Sequence, residues 1–384
     1  MHLTTRNVNT TFKTLIEGIE DQSIPTIKTP SRNGPVIQIE GPIILTYEMP
    51  RERVLFNKVR DANPFFHLYE ALWMLAGRND VASLKYYASK ISDFSDDGKT
   101  FNGAYGFRWR HAWTGSETVQ ADGEIDQLQL IIDHLKNDPN SRRAVLQMWT
   151  VVEDLLKIDA PNKSRDVCCN LSVMFSIRTE GSDTVQADGE VQILDMTVTN
   201  RSNDIIWGML GANYVHFSFL QEFIACALGV EVGKYNHMSN NAHVYTETNS
   251  GWHPEEWLRE YRLKTMHDKP ALSYGKGPND AAGNVGTAPL LFDSEGFQTF
   301  EKEVQTFVTL NGGPNDEYQQ YRNSFIERVA LPVIKAWHQY KLKNFEEALA
   351  WCDLIAAGDW RVVCENWIQK RKENFETRSG GSGE

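Results

Sequence analysis

Two adjacent cysteines and a polar motif further along the chain carry the strongest chemical signal in the sequence. The segment Val167-Cys168-Cys169-Asn170 offers a thiol, and Asn200-Arg201-Ser202-Asn203-Asp204 offers a guanidinium group and a hydroxyl that can hold an anion. A thiolate is a nucleophile, and the planar fork of arginine matches the geometry of a phosphate. The combination indicates covalent chemistry on a phosphorylated small molecule.

The residues between the two motifs must bring them together. Apolar and polar side chains alternate over residues 171–177 and again over 191–199. Alternation with a period of two is typical of a strand with one buried face, and a glycine-containing turn between two such runs predicts a β-hairpin. The thiol then begins one strand and Arg201 ends its partner, so we expect both to face one pocket.

The cysteines also have a structural interpretation. A cysteine at the start of a strand is more often a small core residue than a nucleophile, and neighbouring strand residues point to opposite faces. The chain has five cysteines, without a C-x-x-C pair or the Cys/His spacing of a zinc site. We therefore expect reduced thiols, no disulfide framework and no bound metal.

A glutamate lies inside a strongly apolar helical pattern. Asn63-Pro64 is typical of a helix start, and Gly77 is placed where a C-terminal cap would be. Glu70 shares one side of this helix with Phe66, Trp73 and Met74. Its carboxylate is predicted to lie against apolar surface, where it can act as an acid or base; a buried carboxylate paired with an arginine is the alternative.

Length and charge narrow the possible partners. The chain has 384 residues, 41% of them apolar, enough for a large core, and a formal net charge of −12. Nucleic acids and anionic membranes attract a positive field, so neither is an expected partner. Because there is no apolar signal segment and no run near the roughly 18 apolar residues of a membrane span, we predict a cytoplasmic protein.

Further helices are predicted from apolar periodicity and from turn residues. Those before the C-terminal quarter cover about 125–136 and 213–228, with Gly229 ending the second, and a strand is predicted over 144–149. In the last quarter the helices cover 300–310, 317–342, 345–357 and 360–375, with Gly358 as a stop and Asp359 as a possible N-cap. We divide the chain into a domain over 1–295, a helical extension over 296–378 and a Gly/Ser-rich linker over 379–384.

Two other segments have no predicted role. Residues 115–124 recur as 181–190 with one change, Glu117 to Asp183, and both copies are predicted to be loops. Residues 267–287 are rich in Gly, Pro, Asn and Asp and are also predicted to be a loop.

Residues 30–248 resemble the thymidylate synthase family, including its phage pyrimidine-nucleotide hydroxymethylases. The motifs that agree in order are Glu70-Ala71-Leu72-Trp73, Gly103-Ala104-Tyr105-Gly106-Phe107-Arg108-Trp109-Arg110, Asp138-Pro139-Asn140-Ser141-Arg142-Arg143, Cys169, Arg201-Ser202-Asn203-Asp204, Asn213 and His243-Val244-Tyr245. The resemblance implies an α/β fold, a three-layer sandwich of the thymidylate synthase type with a mostly helical C-terminal extension. Its register needs one inserted residue within 207–212.

The resemblance also implies how a nucleotide is held. Cys169, rather than Cys168, would add to carbon 6 of a pyrimidine, with nearby arginines helping it to ionise. Arg201, Ser202 and Arg32 would hold the 5′-phosphate. Arg142 and Arg143 would reach the partner's phosphate site across a two-fold axis, which implies a homodimer.

Other positions would read the base, the sugar and the co-substrate. Asn213 would pair with uracil, which favours dUMP over dCMP, and His243 and Tyr245 would contact the deoxyribose 3′-hydroxyl. Asp204 would bind the pterin ring of methylenetetrahydrofolate. Tyr105 would assist removal of the carbon 5 proton, and Glu70 would order water and move protons.

Departures from the synthase pattern indicate the last step of the reaction. Asn170 replaces the histidine after the nucleophile, Asn203 lies inside the arginine motif, and Ser92 lies in a segment without the tryptophans that exclude water beside the folate. The chain also continues beyond the position of the synthases' closing tail. We expect water to add where a synthase transfers hydride, giving 5-hydroxymethyl-dUMP for phage DNA. The alternatives are a thymidylate synthase, a dCMP hydroxymethylase and an inactive nucleotide-binding relative.

Overall fold

A six-stranded sheet forms the base of the structure. The computed structural model describes residues 1–111, 113–114, 124–158, 164–180, 191–246, 273–274, 284–291, 296–315 and 319–380. The repeated decapeptides, apart from Glu124, lie outside the described residues, as do most of the predicted loop over 267–287 and residues 381–384.

The strands of this sheet run in the order β1-β4-β11-β9-β8-β7. They are β1 (His2–Thr5), β4 (Ile43–Tyr47), β7 (Val145–Gln147), β8 (Asn170–Glu180), β9 (Val191–Asn200) and β11 (Glu231–Ser239). Pairing is parallel for β1 with β4 and for β9 with β11, and antiparallel for the other neighbours.

A second sheet has four strands in the order β10-β12-β3-β2. They are β2 (Thr26–Thr29), β3 (Val36–Ile39), β10 (Asn203–Asp204) and β12 (Ala242–Tyr245). Two short pairs are formed by β5 (Trp113–Thr114) with β6 (Glu124–Ile125) and by β13 (Ser273–Tyr274) with β14 (Asn284–Val285).

Helices cover one face of the large sheet and extend beyond it. In chain order they are α1 (Val8–Glu20), α2 (Pro64–Leu75), α3 (Val81–Tyr87), α4 (Tyr105–Arg110), α5 (Gln127–Asn137), α6 (Leu156–Ile158), α7 (Asn213–Leu228), α8 (Phe297–Asn311), α9 (Leu331–Lys341), α10 (Phe345–Asp353) and α11 (Gly358–Gly380). A 3₁₀ segment covers Ser89–Phe94, and π-helical segments cover Val151–Leu155, Ile205–Ala212 and Ile326–Ala330. None of the helices in the described part of the chain has the length and apolarity that crossing a membrane requires.

The predicted hairpin is present. Strands β8 and β9 pair along their length, with Asn170 opposite Asn200 at the open end. Val173 and Phe175 on β8, like Leu194 and Val198 on β9, are buried. The apolar residues of the alternating pattern that predicted the hairpin therefore lie on the sheet face that packs against the helices.

Helices α2 and α7 pack on each other above the sheet, and both match the prediction. The Asn63 side chain accepts from Phe66 N at the start of α2, and α7 ends at Gly229, whose φ is 69°. Helix α7 is buried almost all round because it lies between the sheet and the remaining helices.

The C-terminal helices form a further layer on the outer side of α2. Phe65 packs against Trp337 and Trp367 at ring-centroid distances of 5.5 and 5.4 Å, and Tyr69 Oη donates to Val308 O at 2.9 Å. Mixed α/β sheets with a mostly helical C-terminal region match the predicted fold class. One contiguous apolar core includes residues from all of them, and the division at residue 295 stays a prediction.

Two helix boundaries in the last quarter were predicted wrongly. Residues 319–323 are not helical, so the predicted helix over 317–342 begins late, at 324. Gly358 begins α11 instead of ending the previous helix, because α10 already ends at Asp353. A glycine can lie at either end of a helix, and the apolar pattern did not distinguish the two.

Candidate active site

Cys169 and Arg201 meet at the open end of the β8/β9 hairpin, as predicted. Arg201 N donates to Cys169 O at 2.9 Å, and Arg201 Nη2 lies 3.6 Å from Cys169 Sγ. The same guanidinium donates to the backbone carbonyls of Cys168 and Val167 at 2.9 and 3.0 Å. These bonds fix the guanidinium beside the thiol and leave one edge of it for an anion.

The two cysteines differ in exposure. Cys168 is buried and its Sγ donates to Asn170 O at 3.1 Å, whereas Cys169 is partly exposed. Burial also raises the pKa of the Cys168 thiol. Cys169 is therefore the thiol that a ligand can reach.

The pKa of Cys169 is raised in this structure, chiefly by burial. Arg201 and Arg32 act in the opposite direction, and Asp166 adds to the increase. The arginines favour the thiolate, as expected, but burial outweighs them. Ionisation must accompany binding or proton transfer to a neighbour.

Tyr105 is a candidate for that proton transfer. Helix α4 begins with this residue, whose ring stacks on Phe217 at 5.7 Å between centroids. Burial raises the pKa of Tyr105, and Cys169 and Cys168 add to the increase, while Arg201 and the backbone N–H of Asn170 lower it. The hydroxyl thus lies close to the nucleophile and is held in its protonated form.

Asn170 belongs to a buried polar network below the pocket. Its Nδ2 donates to Thr199 O and to Asn200 Oδ1, both at 3.0 Å, while its Oδ1 has no partner among the described residues. His237 Nε2 lies 2.8 Å from Asn200 Nδ2 and 3.0 Å from Asn203 Oδ1.

Burial lowers the pKa of His237 to about 3, so the imidazole is neutral. Asn170 and Asn203, two departures noted in the sequence, are therefore linked through one histidine. Sequence reasoning missed His237 because it lies on β11, far from both motifs in the chain.

Glu70 is buried where α2 crosses α7. His216 Nε2 lies 2.9 Å from Glu70 Oε2, and both side chains are under 10% exposed. The predicted apolar surroundings are present, but the basic partner is a histidine instead of an arginine. We assigned His216 no role from the sequence; the available signal was its position three residues after Asn213, on the same face of α7.

Asp204 offers a second buried carboxylate. Its Oδ1 accepts from Trp207 N at 2.5 Å at the start of the π-helical segment, whereas its Oδ2 is buried without a hydrogen-bond partner among the described residues. Burial raises the pKa of Asp204 to about 6, against the opposing effects of the Trp207 backbone N–H and of Arg60. An unpaired oxygen of this kind fits the N–H donors of a pterin ring.

The predicted insertion within 207–212 falls in that π-helical segment. A π-helical turn closes over one more residue than an α-helical turn, so it can absorb a single inserted residue. The backbone also kinks at Gly211, with φ −124° and ψ −118°. Asn213 follows directly as the first, partly exposed residue of α7.

The predicted sugar and phosphate contacts lie around the second sheet. His243 Nδ1 is 2.8 Å from Asn241 Oδ1, its ring is perpendicular to that of Tyr245, and burial lowers its pKa. Asn33 Nδ2 donates to Tyr245 Oη at 3.4 Å, which holds the loop containing Arg32 near this strand.

Arg32 is exposed, donates to Arg165 O at 3.3 Å and lowers the pKa of Cys169. Ser202 directly follows Arg201 and is partly exposed. One side of the pocket therefore combines two guanidinium groups and a hydroxyl, which is a suitable set for a phosphate.

Comparison with known proteins agrees with this geometry. Residues 35–270 match the family model described as thymidylate synthase. The chain belongs to the thymidylate synthase family. The resemblance inferred from the motifs is thereby confirmed, and the α/β fold of the matched region is that of this family, with a helical C-terminal region beyond it.

Three curated relatives carry the name deoxyuridylate hydroxymethyltransferase. The one from Pseudomonas phage M6 is 38% identical over 378 residues, covering 97% of this chain and 95% of that protein. The one from Bacillus phage SP01 is 38% identical over 229 residues, 59% of this chain and 55% of that protein. The one from Delftia phage PhiW-14 is 28% identical over 207 residues, 51% of this chain and 50% of that protein.

Three residues predicted from the family pattern make no described contact with the Cys169 site of their own chain: Arg142, Arg143 and Ser92. Arg142 and Arg143 are exposed on the loop before β7. Ala144 O accepts from Phe175 N, and Phe175 is six residues beyond Cys169, so these arginines lie about 20 Å away along β8. Ser92 Oγ donates to Ser89 O at 3.3 Å within its own 3₁₀ segment.

Proposed function

We propose that this chain transfers a one-carbon unit from methylenetetrahydrofolate to carbon 5 of dUMP and then adds water, giving 5-hydroxymethyl-dUMP. The observation that carries the proposal is the match to the phage M6 deoxyuridylate hydroxymethyltransferase over 97% of this chain. That match includes the C-terminal helices, which lie beyond the region matched by the thymidylate synthase model. The part of the chain that departs from a synthase is thus shared with a named hydroxymethyltransferase.

The nucleotide is bound by the residues around the hairpin end. Arg201, Arg32 and Ser202 hold the 5′-phosphate, and His243 and Tyr245 contact the sugar hydroxyl. Asn213 presents an amide that donates to the uracil carbonyl and accepts from its imide N–H, which cytosine cannot reciprocate.

The chemistry begins at Cys169. Its thiolate adds to carbon 6 of the base, which makes carbon 5 nucleophilic. Methylenetetrahydrofolate supplies the one-carbon unit as a co-substrate, and Asp204 Oδ2 holds its ring. Tyr105, kept protonated beside the thiol, acts in removal of the carbon 5 proton, and Glu70 acts on the water that adds last.

A second copy of the chain completes the phosphate site. Arg142 and Arg143 are too far from their own Cys169 to act there, and both are exposed. The face of the large sheet opposite the helices also exposes apolar side chains: Ile44, Val145 and Met174 are 37%, 45% and 38% exposed. Strand register places them on one face. A two-fold dimer through this face is the proposed assembly.

The test is a product analysis. The protein is incubated with dUMP and methylenetetrahydrofolate, dihydrofolate is followed by its absorbance, and the nucleotide is weighed by mass spectrometry. A product one oxygen atom heavier than thymidylate, without dihydrofolate, is expected. Thymidylate with one equivalent of dihydrofolate would instead show a synthase, and binding without turnover would show an inactive relative.

A further inference from the structure

Two pairs of polar residues face each other where α2 crosses α7. His67 and Glu70 lie three residues apart on α2, and Asn213 and His216 lie three residues apart on α7. Residues at this spacing share a helix face. The face of α7 that presents Asn213 to the base therefore also presents His216 to Glu70, with Nε2 2.9 Å from Oε2.

Glu70 and His216 lie close together, but their hydrogen-bonding capacity is unused. Although the two atoms are close, Glu70 Oε2 and both ring nitrogens of His216 lie outside hydrogen-bond geometry to any described residue. His216 is 3% exposed and Glu70 7%. Buried groups with free donors and acceptors are costly for folding alone, which indicates that they are kept for a ligand or a water molecule.

Two other basic side chains near this contact, Arg60 and His67, have different surroundings. Arg60 Nε donates to Ile206 O at 3.1 Å, and its guanidinium stacks on Trp207 at 4.0 Å. Burial lowers the pKa of His67 well below its usual value, with Arg60 and His216 adding to the effect, so His67 is neutral. Within the described part of the chain, the basic side chain that approaches the Glu70 carboxylate within 4 Å is that of His216.

The C-terminal extension closes the far side of this cluster. A cavity of about 20 Å³ is lined by His67, Gly211 and Val215 on one side and by Trp360 and Val363 of α11 on the other. Its volume accommodates about one water molecule. Glu70 and His216 are themselves buried, and charges interact more strongly in buried surroundings than in water.

We propose that His216 is a positioning residue for Glu70 in the hydration step, an inference that rests on the proposed function. The water oxygen bonds to the exocyclic methylene carbon, and the electron pair of that double bond moves into the ring as an enolate. The proton leaves the water for Glu70, whose carboxylate His216 holds in place. The enolate then expels the Cys169 thiolate from carbon 6 and restores the ring double bond. No oxidant or reductant is needed.

A double-mutant cycle tests this assignment in the full-length protein. The variants are Glu70→Gln, His216→Asn, the two combined, and His216→Gln, whose amide can still donate towards Glu70. His2→Asn, on exposed strand β1, is the matched histidine control. Initial rates give kcat and KM for dUMP, and thermal melting checks that each variant is folded.

We expect His216→Asn to lower kcat by about 100-fold, the lower end of the range for acid–base groups, with KM for dUMP changed less than about threefold. Adding it to Glu70→Gln should cause no further loss, and His216→Gln should recover part of kcat. Losses that multiply in the combined variant, or an unchanged kcat in a folded His216 variant, would overturn the assignment.

The two proposals fail separately. If His216→Asn does not fold, the double-mutant cycle with Glu70→Gln is measured with His216→Gln in its place. If the wild-type enzyme forms thymidylate, the proposed function fails, while the coupling between Glu70 and His216 is still measured on that product.

Discussion

Arg201 holds Cys169 from two sides: its backbone N–H donates to the cysteine carbonyl at 2.9 Å, and its Nη2 lies 3.6 Å from the cysteine sulfur. One residue therefore closes the end of the hairpin and places a positive charge beside the thiol. Because burial raises the pKa of that thiol, the charge is needed for the thiolate to form.

Replacing the accessible cysteine should abolish turnover, whereas replacing its neighbour should not. Cys169→Ala is expected to lower kcat by about 1,000-fold or more, because no other described thiol faces the pocket. Cys168→Ala is the matched control and should keep most of the activity, with a stability loss of about 1 kcal/mol from the buried site. Steady-state rates and urea unfolding measure both. Loss of activity in Cys168→Ala alone would mean that the nucleophile has been assigned to the wrong cysteine.

The base preference should depend on the first residue of α7. Asn213→Asp should raise the kcat/KM ratio of dCMP to dUMP by about tenfold or more, equivalent to about 1.4 kcal/mol, because a carboxylate accepts from the cytosine amino group but cannot donate to uracil. Asn213 is partly exposed, so the variant should fold.

Competition between the two nucleotides measures this preference. Asn213→Ala serves as the control and should weaken both substrates. An Asn213→Asp variant that keeps the wild-type ratio would remove Asn213 from base recognition.

The fold was largely predictable where local patterns determine it. The alternation over 171–177 and 191–199 and the apolar run ending at Gly229 predicted the hairpin and α7, because burial of one face imposes a period on the sequence. His216 and His237 were not predictable, since their meaning depends on contacts with Glu70 and Asn170 across separate elements. No local pattern records which buried histidine lies next to which polar partner.

Subunit complementation should reveal whether the arginines before β7 act across a dimer. Cys169→Ala chains and Arg142→Ala/Arg143→Ala chains are each expected to be nearly inactive alone. In a co-expressed mixture, half of the dimers should be mixed and hold one complete site, which gives about a quarter of wild-type activity.

Pairing Cys169→Ala with Arg201→Ala is the control for this mixture. Both of those residues lie in the same chain's site, so their mixture should stay inactive. Equal recovery in the two mixtures, or none in the first, would contradict the proposed dimer.

A buried aspartate connects the C-terminal extension with the segment before α2. Asp359 Oδ2 accepts from Tyr274 Oη at 3.0 Å, and Tyr274 Oη accepts from Val54 N at 3.0 Å. Burial raises the pKa of Asp359 to about 7, although its hydrogen bonds from Trp360 N and Tyr274 act in the opposite direction. The folded chain therefore keeps a proton on this carboxyl at pH values where the unfolded chain has released it.

Stability should consequently fall as the pH rises from about 4 to about 7, the window between the unfolded and folded pKa values of Asp359. Asp359→Asn does not titrate and keeps one of the two acceptor oxygens, so its free energy of unfolding relative to wild type should rise across this window, by at most about 4 kcal/mol. Urea unfolding at pH 5, 6, 7 and 8 measures the difference. A difference that stays constant would show that Asp359 is ionised in the folded protein throughout, held by its hydrogen bonds despite burial.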